Sequence, residues 1–313
     1  MAILTIEDIS KKFGSKQVLD DLSLEVKRNT VYGFVGKNGS GKTTTMKLIL
    51  GLYKPDSGRI TINGVPVSYG QNHTNKFVGY LPDVPEFYDY MTPTEYLKLC
   101  AEITNIPVRE VNDRVSEMLD LVGLKNDNKK IKGFSRGMKQ RLGMAQALLS
   151  KPALLICDEP TSALDPVGRK EILDIIKTVK DTTTVIFSTH ILSDVERVSD
   201  HIGILNHGHI VWDGDMEKVR SMSHDQGIAI EFEEVDGRHK FVSLLKDMGE
   251  KIVRLFGDDI DSEENTTVLE FEKAKSEAMN KAMEIICSNH IAIKKLEMRE
   301  VSLENVFIEV LSK

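Results

Sequence analysis

The sequence predicts a two-domain protein: an α/β domain with a parallel sheet and a helical insertion, then a smaller α+β domain. Three observations support this. Apolar runs of strand length alternate with helical patterns through most of residues 1–220, the order that builds a parallel sheet. Between about residues 86 and 150 the strand signals stop and only helical spacing remains. Beyond residue 228 the signals run β-α-β-β-α-β, the ferredoxin-like pattern. A length of 313 residues suits about two domains.

Charge divides the chain at the same place. Residues 221–313 hold 12 basic and 20 acidic side chains, and residues 1–220 hold 29 and 28, so the formal charge of −7 belongs to the C-terminal part. Residues 221–227 are polar and read as a linker between domains of residues 1–220 and 228–313. Hydrophobic content of 41% and charged content of 28% exclude a mostly disordered chain. Nothing is basic enough for a nucleic-acid footprint, so no nucleic-acid partner is expected. No stretch reaches the roughly 18 apolar residues of a membrane helix. The first ten residues carry Glu7 and Asp8 and lack a basic start before a long apolar core, unlike a secretory signal. Cys100, Cys157 and Cys287 are far apart and odd in number, which suits a reducing compartment better than a disulfide framework or a zinc site.

Two strand-like runs, residues 3–6 and 22–26, come first. A third, Val31–Val35, leads straight into Gly36-Lys37-Asn38-Gly39-Ser40-Gly41-Lys42-Thr43. Residues 44–50 read as a helix that Gly51 ends. Strand, glycine-rich loop and helix are the context in which G-x-x-x-x-G-K-[ST] binds phosphate. The glycines let backbone N–H groups turn toward phosphate oxygens, and the helix opening at Thr44 adds its positive end. Lys42 is expected to reach β- and γ-phosphates and the Thr43 hydroxyl to bind Mg²⁺. The cofactors expected are therefore ATP and Mg²⁺.

In the insertion, residues 93–103, 108–122 and 135–149 read as helices, the second with Val111, Val115, Met118, Leu119 and Val122 at helical spacing. Residues 153–157 are then continuously apolar, as in a strand buried on both faces. That run ends in Asp158-Glu159. Asp158 suits a Mg²⁺ shell, and Glu159 suits the general base that polarises attacking water. A helix at 166–180, a strand at 184–188 and a helix at 191–199 continue the alternation. Residues 202–205 and 209–212, around Asn206-His207-Gly208, read as a hairpin.

Four further segments carry a family resemblance. Ser135-Arg136-Gly137-Met138-Lys139-Gln140-Arg141 opens a helix ahead of the acidic pair. Ser162-Ala163-Leu164-Asp165 follows that pair, Ser188-Thr189-His190 ends the next strand, and Phe13 stands 23 residues before Gly36. With the phosphate loop, and in this order, they resemble the ATP-binding subunit of an ATP-binding cassette (ABC) transporter over about residues 1–215. The resemblance implies a P-loop NTPase fold of the cassette type and ATPase activity. It implies that Phe13 stacks on adenine and that His190 senses the γ-phosphate. Ser135 and Gly137 would meet the γ-phosphate of ATP held by a second ATP-binding subunit, and Asp165 would lie in the D-loop. Ser135 and Asp165 are also placed to cap their helices. Two copies would pair head-to-tail as a homodimer on the cytoplasmic face of a membrane and drive a separate multi-span permease.

Two positions depart from the family pattern. Arg136 replaces the usual first glycine of the signature; its guanidinium either strengthens phosphate contact or faces solvent. Asp83, in Val78-Gly79-Tyr80-Leu81-Pro82-Asp83, replaces the glutamine that usually links the metal site to the membrane partner. Aspartate is shorter and charged. It can meet Mg²⁺ or water with reduced reach, or it is a solvated turn acid after Pro82.

In the C-terminal part, residues 228–233, 252–255, 267–271 and 291–298 read as strands and 239–248, 273–288 and 302–311 as helices. This part resembles the extension after the cassette in bacterial exporters of drugs and peptide antibiotics, with Ser302-Leu303-Glu304-Asn305-Val306-Phe307 like the ending of that group. Residues 257–265 hold five acids and no base, lack EF-hand spacing, and read as a solvated loop. No catalytic residue is visible here, and a regulatory or dimer-stabilising role is expected. The reading is thus an ATPase subunit exporting a drug, peptide antibiotic or similar amphipathic compound. The rival is an ABC ATPase switch acting on a ribosome, DNA or a sensor protein. A single cassette without sustained heptads favours the transporter.

Overall fold

The chain opens with two long strands, β1 (Ala2–Phe13) and β2 (Lys16–Lys27), paired antiparallel around Gly14 at φ +60°. Leu4, Ile6 and Ile9 alternate into the core opposite Leu22, Leu24 and Val26, and a register shift between Ile6 and Ile9 keeps the face aligned. Next come β3 (Val31–Val35), α1 (Lys42–Ile49), β4 (Ser57–Ile62) and β5 (Val65–Pro66). The apolar runs at 3–6 and 22–26 mark only the N-terminal part of β1 and the C-terminal part of β2. These strands do not enter the parallel sheet: they form a separate antiparallel sheet of order β2-β1-β4-β5.

The chain continues through β6 (Val78–Leu81), α2 (Pro93–Ile103), α3 (Val108–Leu121), α4 (Arg136–Leu148), β7 (Leu154–Asp158), α5 (Pro166–Val179) and β8 (Thr184–Thr189). Then follow α6 (Leu192–Val198), β9 (His201–Asn206), β10 (His209–Asp215) and α7 (Met216–Met222). The second sheet has the order β10-β9-β3-β8-β7-β6 and is parallel except for β10. Every residue of β3, β7 and β8 is buried; β3 and residues 154–157 of β7 read as continuous runs for that reason, whereas β8 keeps only Val185, Ile186 and Phe187 between buried hydroxyl residues. Helices α2 to α4 make up the insertion. Thr92 and Glu95 cap α2 reciprocally, with Pro93 in its first turn. Buried Arg114 of α3 donates to Leu149 O (2.9 Å) and Leu148 O (2.6 Å), satisfying carbonyls at the end of α4.

The structure, a computed structural model, describes residues 2–125, 127–222, 227–247, 261–263, 266–270, 275–299 and 307. Its chain divides into two units, built on Met1–Glu217 and Lys218–Val306. The second unit holds β11 (Gly227–Phe232), α8 (Val235–Asp247), β12 (Asp261–Glu263), β13 (Thr266–Glu270), α9 (Lys275–Ser288) and β14 (Ile293–Arg299). Its sheet has the order β12-β13-β11-β14 with all neighbours antiparallel. Ile228, Ile230 and Phe232 of β11 pack with Phe241 and Leu245 of α8 and with Ala282, Ile285 and Ile286 of α9.

Several expectations shift here. Helix α8 begins at Val235, four residues before the expected start at 239. Asp261–Glu263, expected in a loop, is an edge strand, a place where charge is tolerated and discourages further pairing. Of the expected linker at 221–227, residues 223–226 lie outside the described residues, and Gly227 already opens β11. The strand expected at 252–255 and the helix at 302–311, Phe307 apart, also lie outside them.

Candidate active site

The carboxyl ends of β3, β8, β7 and β6, neighbours in that order, carry the phosphate loop, Ser188-Thr189-His190, Asp158-Glu159 and Asp83. In open α/β sheets this is the edge where ligands bind. The sheet order thus gathers four segments that are scattered in the sequence.

In the phosphate loop, Gly39 and Gly41 take φ of +83° and +117°, conformations natural to glycine. A Cβ at Gly41 would lie 2.6 Å from Leu19 Cδ2 and 3.1 Å from Val18 O, so β2 closes against the loop. Lys37, Asn38 and Gly39 form its exposed crest, while Gly36, Ser40 and Lys42 are buried. The Lys42 ammonium donates to Gly36 O (2.7 Å) and Lys37 O (3.3 Å) and pairs with Glu159 Oε1 at 3.3 Å. Ser40 Oγ is buried with no hydrogen-bond partner. Helix α1 starts at Lys42, two residues earlier than expected, which leaves Thr43 exposed in its first turn and Thr44 half-buried.

Opposite lies the acidic pair. Ser188 Oγ donates to Asp158 Oδ1 at 2.5 Å, and Asp158 is only 3% exposed. Glu159 has φ +49° and its N–H donates to Ser188 O (3.0 Å) and Ser188 Oγ (3.2 Å). That left-handed backbone is uncommon for a glutamate and is held by β8. His190 Nδ1 lies 2.9 Å from Glu159 Oε2; a carboxylate only accepts, so Nδ1 carries the shared proton. Glu159 is therefore gripped between Lys42 on one oxygen and His190 on the other.

Of the remaining predicted residues, Asp83 lies close enough to feel Asp158, Glu159 and His190, while Ser135, Gly137, Asp165 and Phe13 are placed by their own local contacts. Asp83 lies 3.5 Å from Arg136 Nη2, so the two departures from the family pattern face each other. Partial burial holds the Asp83 carboxyl above its ordinary pKa; Arg136 and His190 oppose this, while Glu159 and Asp158 add to it. Ser135 caps α4 by accepting from Met138 N at 3.2 Å, and a Cβ at Gly137 would meet nothing within 4 Å. Asp165 caps α5 by accepting from Gly168 N at 2.9 Å. Phe13, 43% exposed, stands edge-on to Tyr53 at 5.4 Å between ring centres. Two residues of this region escaped the sequence reading: Thr161 and Asp194, joined by a buried hydrogen bond of 2.6 Å. The sequence offered no signal for either: Asp194 stands in a short helix that also holds Ser193, Glu196 and Arg197.

A parallel sheet with a phosphate loop after one strand and an acidic pair two strands away defines a P-loop ATPase. The chain belongs to the ABC transporter ATP-binding family, and a family model described as ABC transporter matches residues 19–162. It is 34% identical over 312 residues to the bacitracin transport ATP-binding protein BcrA of Bacillus licheniformis, covering 99% of this chain and 97% of that one. It is 41% identical over 219 residues to the uncharacterized ABC transporter ATP-binding protein YxlF of Bacillus subtilis, 70% of this chain and 72% of that one. Among solved structures it resembles cbiO1 of Clostridium perfringens, part of the ABC transporter complex cbiONQ. There the TM-score is 0.65 and the identity 26%, over 70% of this chain and 91% of that one. The protein is thus an ATP-binding, ATP-hydrolysing subunit of an ABC transporter. Subunits of this family dimerise and work with a transmembrane permease. Among the described residues no helix is long and apolar enough to cross a membrane.

Proposed function

We propose that this subunit powers export of a peptide antibiotic or similar amphipathic compound through a separate multi-span permease, from the cytoplasmic face of the membrane. The similarity to a bacitracin transport protein over 99% of the chain, C-terminal unit included, is the observation that carries the cargo class. The working unit is a head-to-tail homodimer. Ser135 and Gly137 of one copy approach the γ-phosphate held by the other, with Asp165 in the neighbouring D-loop.

Within one copy, the N–H groups of residues 36–44 take the phosphates and Phe13, braced by Tyr53, offers a face to adenine. Lys42 exchanges Gly36 O, Lys37 O and Glu159 for β- and γ-phosphate oxygens. That exchange frees one carboxylate oxygen of Glu159. Glu159 accepts a proton from water as the water oxygen bonds to the γ-phosphorus and the bond to the ADP oxygen breaks. His190 Nδ1 orients Glu159, and Nε2 would donate to the γ-phosphate in the imidazolium form, the only one that donates from both nitrogens.

The oxygen donors suit Mg²⁺, which takes few protein ligands and completes its shell with phosphates and water. Among the described residues no group of three His, Cys, Asp or Glu side chains gathers as a metal cage. Thr43 and Asp158 would hold the ion, and Asp83 Oδ1, which makes no hydrogen bond but lies 3.5 Å from Arg136 Nη2, is a further candidate. When bound, Mg²⁺ neutralises charge on the β- and γ-phosphate oxygens.

Glu159→Gln in the permease complex tests the reading. ATP binding should persist, while turnover falls about a hundredfold or more and antibiotic resistance conferred on sensitive cells disappears. Normal turnover would remove Glu159 from the role of base; lost turnover with intact resistance would remove the cargo.

A further inference from the structure

We propose that Asp194 is a positioning residue for hydrolysis: through Thr161 it locks the segment between Glu159 and Asp165 onto the helix that follows His190. The inference rests on the roles of Glu159 and His190 given above.

Two loops leave adjacent strands, one from β7 and one from β8. At their roots they are joined by Ser188, which accepts from Glu159 N and donates to Asp158. At their working ends they are joined by His190 and Glu159. Neither link governs what comes next on either chain. There Thr161, fully buried, donates to Asp194 Oδ2 at 2.6 Å, and Asp194 is 2% exposed. The other oxygen, Oδ1, lies 4.0 Å from Arg169 Nε of α5, the helix that Asp165 caps.

A carboxylate so deeply buried is costly unless its partners are fixed. An acid in the first turn of a helix usually complements the helix dipole from solvent. Asp194 is in the first turn of α6 but faces inward, so that role does not account for its contact with Thr161. Position explains more. Thr161 is two residues beyond Glu159 and two before Ala163, whose φ of +53° is a strained conformation that needs support from its surroundings. Asp194 is four residues beyond His190. The bond therefore closes a ring: Glu159 side chain, His190, α6, Asp194, Thr161 and back to Glu159. Displacement of His190 then moves the segment leading to Asp165, and the reverse.

The test uses the full chain and separates kcat, KM and nucleotide affinity. Thr161→Val removes the donor at nearly constant shape, and Thr161→Ser keeps it. Thr161→Val should lower kcat about tenfold with KM and nucleotide affinity within about twofold, and Thr161→Ser should turn over like the wild type. Asp194→Asn should also lower kcat, and the pair of changes together should cost no more than Thr161→Val alone. Wild-type kcat in Thr161→Val, equal losses in Thr161→Ser, or additive losses in the double variant would overturn the proposal. If Thr161→Val does not fold, the isosteric Asp194→Asn is judged by the same kcat-against-KM split. Glu159→Gln run in parallel separates the two levels. If it turns over normally, the site reading fails and takes the proposal with it. If it is inactive while Thr161→Val is normal, only the proposal fails.

Discussion

In the unit built on Met1–Glu217, acids enter the interior: Asp158 and Asp194 are 3% and 2% exposed, and each is met by a buried hydroxyl. In the second unit the acids seen in ion pairs, Glu231, Glu284 and Glu297, stay at the surface beside Lys294, Lys281 and Lys295. Among its described residues the buried side chains are apolar except for Thr267. Burying a carboxylate is expensive, so a fold retains one where a fixed polar partner is needed. Exposed lysine–carboxylate pairs contribute little. The chain's excess negative charge therefore lies in one unit and its chemistry in the other.

The sharpest test of that contrast removes apolar packing from the second unit. Phe241 is fully buried and meets Phe232 with ring centres 5.5 Å apart. Phe241→Ala should cost about 3–5 kcal/mol. Calorimetry or denaturant unfolding should show the loss, while ATP turnover stays within about twofold. A matching fall in turnover would break the contrast, because the second unit's packing would then be supporting the site.

Much of the first unit is legible in sequence for a physical reason. The loop proposed to wrap phosphate keeps Gly36, Gly39, Gly41, Lys42 and Thr43 within eight consecutive residues, and the proposed metal-holding acid and base, Asp158 and Glu159, stand side by side at a strand end. Strands buried on both faces announce themselves as apolar runs. What escapes is whatever depends on distant pairing. The lengths of β1 and β2 were hidden because half of each faces water, and their separate sheet depends on β4, some 50 residues away. The Thr161–Asp194 bond spans 33 residues and joins two types that are individually commonplace. In the second unit, acidic 261–263 looked like a loop because edge strands do not follow the buried-strand pattern.

A smaller effect concerns a charged group in the first unit that lies outside the candidate site. His201 directs Nε2 at Asp213 (3.0 Å) and Nδ1 at Asp215 (2.9 Å), and its ring stacks on Tyr32 at 5.3 Å. Only imidazolium donates from both nitrogens. The bond to Asp213 raises the His201 pKa most, burial opposes, and Asp215 adds to the rise. Because the folded value is the higher one, the contribution to stability is complete below the unfolded imidazole pKa. It is lost as pH rises through the folded pKa. Thermal unfolding should therefore show wild-type stability declining above about pH 6.5, the ordinary imidazole value. In His201→Gln that component should be absent. An unchanged pH profile in the variant would mean that the two aspartates do not hold a charged ring.

The smallest expected effect on stability is at Asp83 and Arg136, whose side chains are 47% and 48% exposed and 3.5 Å apart. A pair that open to water is worth about 0–1 kcal/mol, so Arg136→Gln should barely move the unfolding midpoint. Its kinetic meaning is separable. Asp83 feels Asp158 and Glu159, whereas Arg136 stands at the start of α4 beside Ser135 and Gly137. If the ion pair is what matters, Arg136→Gln and Asp83→Asn should lower turnover by similar small factors and their double variant by no more than either. If Arg136→Gln alone cuts turnover strongly, and does so equally with Asp83 or Asn at position 83, the guanidinium serves the partner copy's phosphate and not Asp83. The charge would then belong with the buried acids as part of the chemistry, despite its exposure, and burial would no longer separate working charges from solvated ones in this unit.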